Sequence, residues 1–280
     1  MKCLLCQSEV RSEDGVSALC RRCGLLLNLT TQPLDYRQGG GQDVPSSNKS
    51  KLRIQNSKKR FQIIKPYIPS NSLFVDIGCG SGEMLSVAKK YCRDAVGFET
   101  NMILSDFCKE NGLNVMNAWY DINKIPGVRQ YSQKIFALSH VLEHIGHPQR
   151  LLEQIYNDLQ EQDVLYIEVP LYTGFSFQKR RYRSTLWYNE HVALYSQKSL
   201  LFIADQFCLD ILDIGYRNFF NDSRSKRMFF ETFINHPGKF LLRALTRRTY
   251  QTLMDNIARD YGFILLKKPM NKTKGHDHSP

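Results

Sequence analysis

The chain has 280 residues, 42% of them hydrophobic and 23% charged, with a formal net charge of +11. That balance describes a folded globular protein and excludes disorder over most of the length. No apolar run approaches the roughly 18 residues a membrane span needs, and Met1 to Glu9 carries no long apolar stretch of a secretory leader, so the reading is a cytoplasmic protein with one main domain and a small appendage.

The charge is unevenly spread. Residues 1–48 are neutral overall, 49–70 hold seven basic and no acidic side chains, 71–170 sum to −5 and 171–280 to +9. Basic flanks attract phosphate, in a polynucleotide or in a nucleotide-linked metabolite, or else simply keep the surface solvated.

The chain opens on Cys3-Leu-Leu-Cys6 and Cys20-Arg-Arg-Cys23, two C-x2-C pairs with thirteen residues between them. Each pair can present two thiolates on one side of a tight turn, and together they supply the four soft ligands that tetrahedral zinc prefers. Four protein ligands close the coordination sphere, so the expected ion is structural, and it would supply folding energy that a segment of about 30 residues lacks. Residues 1–30 are therefore read as a zinc-ribbon-like module. Residues 31–48 contain Pro33, Gly39-Gly40-Gly41 and Pro45 and read as a linker.

Residues 49–66 suit a helix, with Leu52, Ile54, Phe61, Ile63 and Ile64 set among basic residues. Leu73 to Ile77 is a short apolar run fit for a buried parallel strand. Gly78-Cys79-Gly80-Ser81-Gly82 follows at once, and Glu83 to Tyr91 reads as a helix. Strand, glycine turn and helix is the layout that holds a nucleotide-like ligand at the carboxyl end of a strand. Asp94 to Phe98 reads as a second strand. Glu99 ends it, 23 residues after Asp76, near the distance at which an acid reaches ribose hydroxyls in such units. Its two carboxylate oxygens can accept from both hydroxyls.

Asp76-Ile77-Gly78-Cys79-Gly80-Ser81-Gly82 with Glu99 resembles the cofactor site of class I S-adenosylmethionine-dependent methyltransferases. Lys134 to His144 with Pro148 resembles that family's fourth strand and loop, and Leu165 to Pro170 its fifth strand. The resemblance implies an α/β, Rossmann-like sheet of seven strands, one antiparallel, over residues 49–266. Ile211 to Tyr216 and Tyr261 to Leu266 would be the last two strands, with a basic helical insertion at 222–258 and a loose basic tail at 267–280. By position, Asp76 would approach the amino-acid end of S-adenosylmethionine, and Gly78 and Gly80 would make room for it. Cys79 and Gly82 complete the turn, and Glu99 would take the ribose. Asn117, Ala118 and Trp119 would flank the adenine, and Ser139 and His140 would line the cleft beside the sulfonium.

Methyl transfer requires an aligned nucleophile and often loss of a proton. Trp187-Tyr188-Asn189-Glu190-His191 offers a histidine with a neighbouring carboxylate, a suitable base. Ser196 downstream reads as a helix cap. The Y-x-E-H arrangement, together with the four-cysteine module, resembles zinc-containing methyltransferases of nucleotide-linked sugars. That resemblance implies an acceptor site at Tyr188, Glu190 and His191, with His191 as base, although the chain lacks the further C-terminal domain of those C-methyltransferases. Lys179-Arg180-Arg181-Tyr182-Arg183 could hold a diphosphate or be an exposed basic loop. The expected partner is a small, phosphate-bearing acceptor. RNA methylation is the alternative, since some ribosomal RNA methyltransferases also carry a cysteine module, but the Asn/Asp-Pro-Pro-Tyr segment that holds an exocyclic amine is absent. A non-enzymatic, partner-binding module is the third reading, and the intact glycine turn argues against it.

Overall fold

The computed structural model describes residues 1–12, 14–31, 44, 47–172, 190–217 and 261–269. The basic run at 179–183, Tyr188, the insertion at 222–258 and nearly all of the linker and tail lie outside the described residues.

In chain order the elements are β1 (Ser17–Leu19), β2 (Leu26–Asn28), α1 (Ser47–Ile64), β3 (Ser72–Ile77), α2 (Glu83–Ala88), β4 (Asp94–Phe98), α3 (Met102–Glu110) and β5 (Asn114–Met116). There follow β6 (Gln133–Ser139), α4 (Pro148–Asp158), β7 (Val164–Pro170), β8 (Ala193–Leu194), α5 (Gln197–Gln206), β9 (Asp210–Arg217) and β10 (Tyr261–Lys267). The main sheet has seven strands in the order β5-β4-β3-β6-β7-β10-β9. Pairing is parallel from β5 through β7, and β10 runs antiparallel to both β7 and β9. This is the expected Rossmann-like sheet with one reversed strand. Order reverses between β3 and β6, which opens a crevice at their carboxyl ends, where ligands of such sheets bind.

Alternation along the strands divides the core in two. Leu73, Val75 and Ile77 face one side with Phe136, Leu138, Ile167 and residues of α4 and α5. Phe74 faces the other side with Ile135, Tyr166 and residues of α1 and α2. Residues of β3 and β7 are buried on both faces, as a covered parallel sheet requires. Caps set the helix starts. Asn101 accepts from Leu104 N–H at 3.2 Å, Pro148 opens α4, and Ser196 and Ser199 form a reciprocal capping box on α5.

The structure shortens one expected helix. α2 ends at Ala88, because Lys90 and Tyr91 tighten to i→i+3 bonds and the Tyr91 ring stacks on Phe61 of α1 at 5.0 Å. The N-terminal module also docks on the sheet domain. β2 pairs with β1 and, through Leu26↔Leu194 and Leu27↔Ala193, with β8. Its Leu5, Val10, Ala18, Leu25 and Leu27 are buried in the same cluster as the α4–α5 face. Among the described residues no helix is long and apolar enough to cross a membrane.

Candidate active site

The glycine turn leaves β3 with three left-handed residues, Gly78, Gly80 and Gly82, at φ +71°, +56° and +77°. A Cβ on Gly78 would stand 2.7 Å from Cγ2 of Val141, so only glycine fits there. Glu99 braces the turn: its Oε2 accepts Gly80 N–H and its Oε1 accepts Asn101 N–H, both at 2.8 Å. Each carboxylate oxygen keeps a second lone pair, so the brace leaves acceptor capacity for a diol. Asp76, only 3% exposed, is the buried acid at the foot of the turn. Burial pushes its carboxyl up to about 7, against the opposing charge of Arg60.

A cavity of about 310 Å³ opens over this turn. Its walls include Asp76, Gly78, Cys79, Gly80, Glu99 and Ser139. α1 lies across it and contributes Arg53, Asn56, Ser57 and Arg60. These residues fall at i, i+3, i+4 and i+7, one face of a helix, and the Arg53 guanidinium donates to Ser81 Oγ at 3.0 Å. Ala118 and Trp119 form the far wall, and Trp119 is 58% exposed, so its ring belongs to no core. Asn117 stands behind that wall, where its amide donates to the Glu99 and Thr100 carbonyls at 3.0 and 3.2 Å. Gly82 likewise stands outside the wall and starts α2. A cavity of this size, with a diol acceptor, a buried acid and flanking aromatic surface, fits S-adenosylmethionine.

His140 ends β6 in the left-handed region, at φ +59°. Its Nδ1 lies 3.2 Å from Glu143 Oε1 and its Nε2 3.1 Å from Glu168 Oε1. Burial lowers its basicity, but hydrogen bonds to Glu143 and Glu168 more than reverse this and raise it above the ordinary histidine value. Two ionised carboxylates accept from both ring nitrogens, which favours the imidazolium and makes His140 a poor proton acceptor. Glu168 is wholly buried. Arg60 Nη2 approaches its Oε1 at 2.7 Å; Arg217 Nη1 and the Tyr166 hydroxyl donate to its Oε2 at 2.8 and 2.6 Å. Burial alone would raise the Glu168 carboxyl, but Arg60, His140 and Arg217 hold it well below the usual range.

Beside this network stand His144 and His191, with ring centroids 4.7 Å apart. His144 reaches the cavity wall. His191 is held from behind, since its carbonyl accepts from Asn28 Nδ2 at 3.0 Å and the next residue, Val192, pairs with Asn28 and Glu143. Glu190, at φ +67°, offers its carbonyl to His144 Nδ1 at 3.3 Å. The structure thus brings Glu190 and His191 to the edge of the cleft.

The four N-terminal cysteines converge. Cys3 and Cys23 sulfurs are 3.5 Å apart, Cys6 and Cys20 also 3.5 Å, and all four lie within 4.8 Å of one another. Sulfurs about 2.3 Å from one tetrahedral ion lie about 3.8 Å apart, so the donor set fits such an ion. The Cys23 thiol beside it holds Cys3 down to about 5.

Sequence reasoning passed over Arg53, Arg60, Glu168, Arg217 and Asn28. Glu168 carried a signal, a lone acid inside the apolar run Leu165 to Pro170. The arginines were read only as charge on the flanks, and nothing local marked Asn28.

Comparison with known proteins agrees with the geometry. The methyltransferase-domain family matches residues 51–213. A methyltransferase of Archaeoglobus fulgidus described as SAM-dependent is similar, with 20% identity, 79% of this chain and 98% of that one covered, and a TM-score of 0.52. So is a chain of the complex between the Haloferax volcanii Trm112 methyltransferase activator and a methyltransferase, with 13% identity, 80% and 95% coverage and a TM-score of 0.54. At these identities the likeness is one of fold. No curated protein sequence matches the chain. With a family match over more than half its length, on the sheet and glycine turn that such chemistry uses, the chain belongs to the methyltransferase-domain family and is a SAM-dependent methyltransferase.

Proposed function

We propose that this enzyme methylates a small, phosphate-bearing acceptor of the nucleotide-linked sugar type, activated at His191. S-adenosylmethionine would supply an electrophilic methyl on its sulfonium. Asp76 would meet the ammonium of its amino-acid end, the turn from Gly78 to Gly80 would admit its backbone, Glu99 would take the ribose, and Ala118 and Trp119 would flank the adenine. Ser139 faces the cleft between these ends. His140, clamped between two carboxylates, would orient the loop and hold positive charge. The observation that carries the reading is that one cavity wall unites the Glu99-braced turn with His144 of the His144–His191 pair. The four cysteines would hold a structural zinc ion, whose closed coordination leaves no place for substrate.

The test is transfer of labelled methyl from S-adenosylmethionine into a cell extract, with RNA, protein and small metabolites then separated. Label is expected in the small-metabolite fraction. His191→Asn should abolish it while affinity for S-adenosylhomocysteine survives. Label in RNA, with the basic flanks then serving recognition, would contradict the acceptor class. Full turnover by the variant would remove His191 from the site.

A further inference from the structure

Glu143, His144 and His191 each point a ligand atom at a common space, and those atoms lie within 4.8 Å of one another. Ligand atoms about 2.1 Å from one ion are about 3–3.5 Å apart when they share a face. The set therefore closes on an ion with side-chain movements of about 1 Å. We infer that these three residues form a divalent-cation site at the edge of the methyl-transfer cleft, separate from the four-cysteine site.

Three further observations support it. Glu143 is wholly buried, its Oε1 engages His140, and among the described residues its Oε2 has no hydrogen-bond partner. A buried, uncompensated carboxylate oxygen is costly, and a cation is the group that satisfies it. His144 Nδ1 faces the Glu190 carbonyl at 3.3 Å. A carbonyl can only accept, so Nδ1 donates to it and Nε2 is the nitrogen that would ligate an ion, the outer-shell arrangement that orients a histidine for a metal. The scaffold is also rigid. Glu143 sits in a one-turn helix at Leu142–His144, and its carbonyl accepts from Val192 N–H at 2.9 Å, which registers the His191 segment against it.

Two imidazoles and one carboxylate suit first-row divalent cations such as Mn²⁺, Fe²⁺ or Zn²⁺ and leave coordination positions open. Because His144 reaches the cavity wall, those positions adjoin the space where an acceptor would lie. The ligand class is thus an oxygen donor, a hydroxyl of the acceptor. This consequence rests on the proposed function and refines it: His191 acts through the ion, which occupies its lone pair and would lower the pKa of the bound hydroxyl, whose proton leaves to solvent as the oxygen takes the methyl from the sulfonium.

The test is a titration of the full chain with Mn²⁺ after dialysis against a mild chelator, followed by loss of the free-ion electron paramagnetic resonance signal. Mn²⁺ is poorly held by thiolates, so the cysteine module does not interfere. One bound ion per chain is expected, with nitrogen couplings from imidazole in its pulsed spectrum. Outer-shell partners alone are worth about 10–100-fold in affinity, so Glu143→Gln and His144→Ala should each weaken binding at least about tenfold while S-adenosylhomocysteine still binds. No binding by the unaltered protein below about 1 mM, or bound Mn²⁺ without nitrogen coupling, would overturn the site. Neither result depends on whether any acceptor is methylated.

Discussion

Glu168 is the residue on which the cleft floor depends. It pairs with both Arg60 and Arg217 and accepts from Tyr166 and His140, itself wholly buried. Removing one partner of a buried ion pair costs about 3–5 kcal/mol. Glu168→Gln should therefore destabilise the protein by about that amount, seen as a lowered melting temperature, and should free Arg60 to bind stray anions. Asp76 makes a different prediction. Its carboxyl ionises near 7, and only the ionised form attracts an ammonium. Affinity for S-adenosylhomocysteine should therefore rise by roughly tenfold between pH 6 and pH 8, following the ionised fraction. Calorimetry at both values checks this, and Asp76→Asn should bind weakly at either pH, with the dependence gone. The acids of the turn were readable in the sequence because Asp76 interrupts an apolar run just before the glycines and Glu99 follows the next one. The charge state of His140 was not, because besides the nearby Glu143 it depends on Glu168, which comes from a different strand.

At the scale of elements, the cysteine module works as a brace. β2 pairs with β8, Asn28 holds the His191 carbonyl, and Ser196 Oγ donates to Gly24 O at 2.9 Å. A module read as an appendage is thereby continuous with the segment that carries His191. Cys6→Ser, or a strong chelator acting on the zinc proposed for the module, should speed amide exchange over 192–195 and lower turnover. It should leave exchange in β3 and β4 unchanged, and mass spectrometry resolves the two regions. Equal protection in all of them would separate module and cleft. The elements themselves were largely legible. β4 falls on its expected bounds and β3 within one residue of its own, because covered strands show as continuous apolar runs, while β7, β9 and β10, which the family resemblance implied, fall within one residue of theirs at either end. α2 was overestimated because Lys89 to Tyr91 extends its polar pattern, while the Tyr91–Phe61 contact that turns the chain away is long-range. α1 was legible as a helix. Its inward polar face was not, since Arg53 and Arg60 look like their exposed neighbours until the cavity is in view.

At the scale of the molecule, the fold places two chemistries side by side. The parallel half of the sheet presents its strand ends to a nucleotide-like ligand. The antiparallel pair β10–β9 closes the other side, and Arg217 at the end of β9 reaches back to Glu168. The uneven charge takes on a clearer meaning here, because two of the seven basic residues at 49–70 line the cavity, Arg60 largely buried and Arg53 partly exposed. That assignment depends on what the cavity binds. The most direct measurement is a calorimetric titration of the full chain with S-adenosylhomocysteine, repeated on Glu99→Gln, which presents an amide to Gly80 and to a ribose. One saturable site per chain is expected, weakened at least about tenfold in the variant, since a lost charge-assisted bond is worth about 1.5–3 kcal/mol. No binding at millimolar ligand, or equal affinity in the variant, would contradict a cofactor site built on the glycine turn and Glu99.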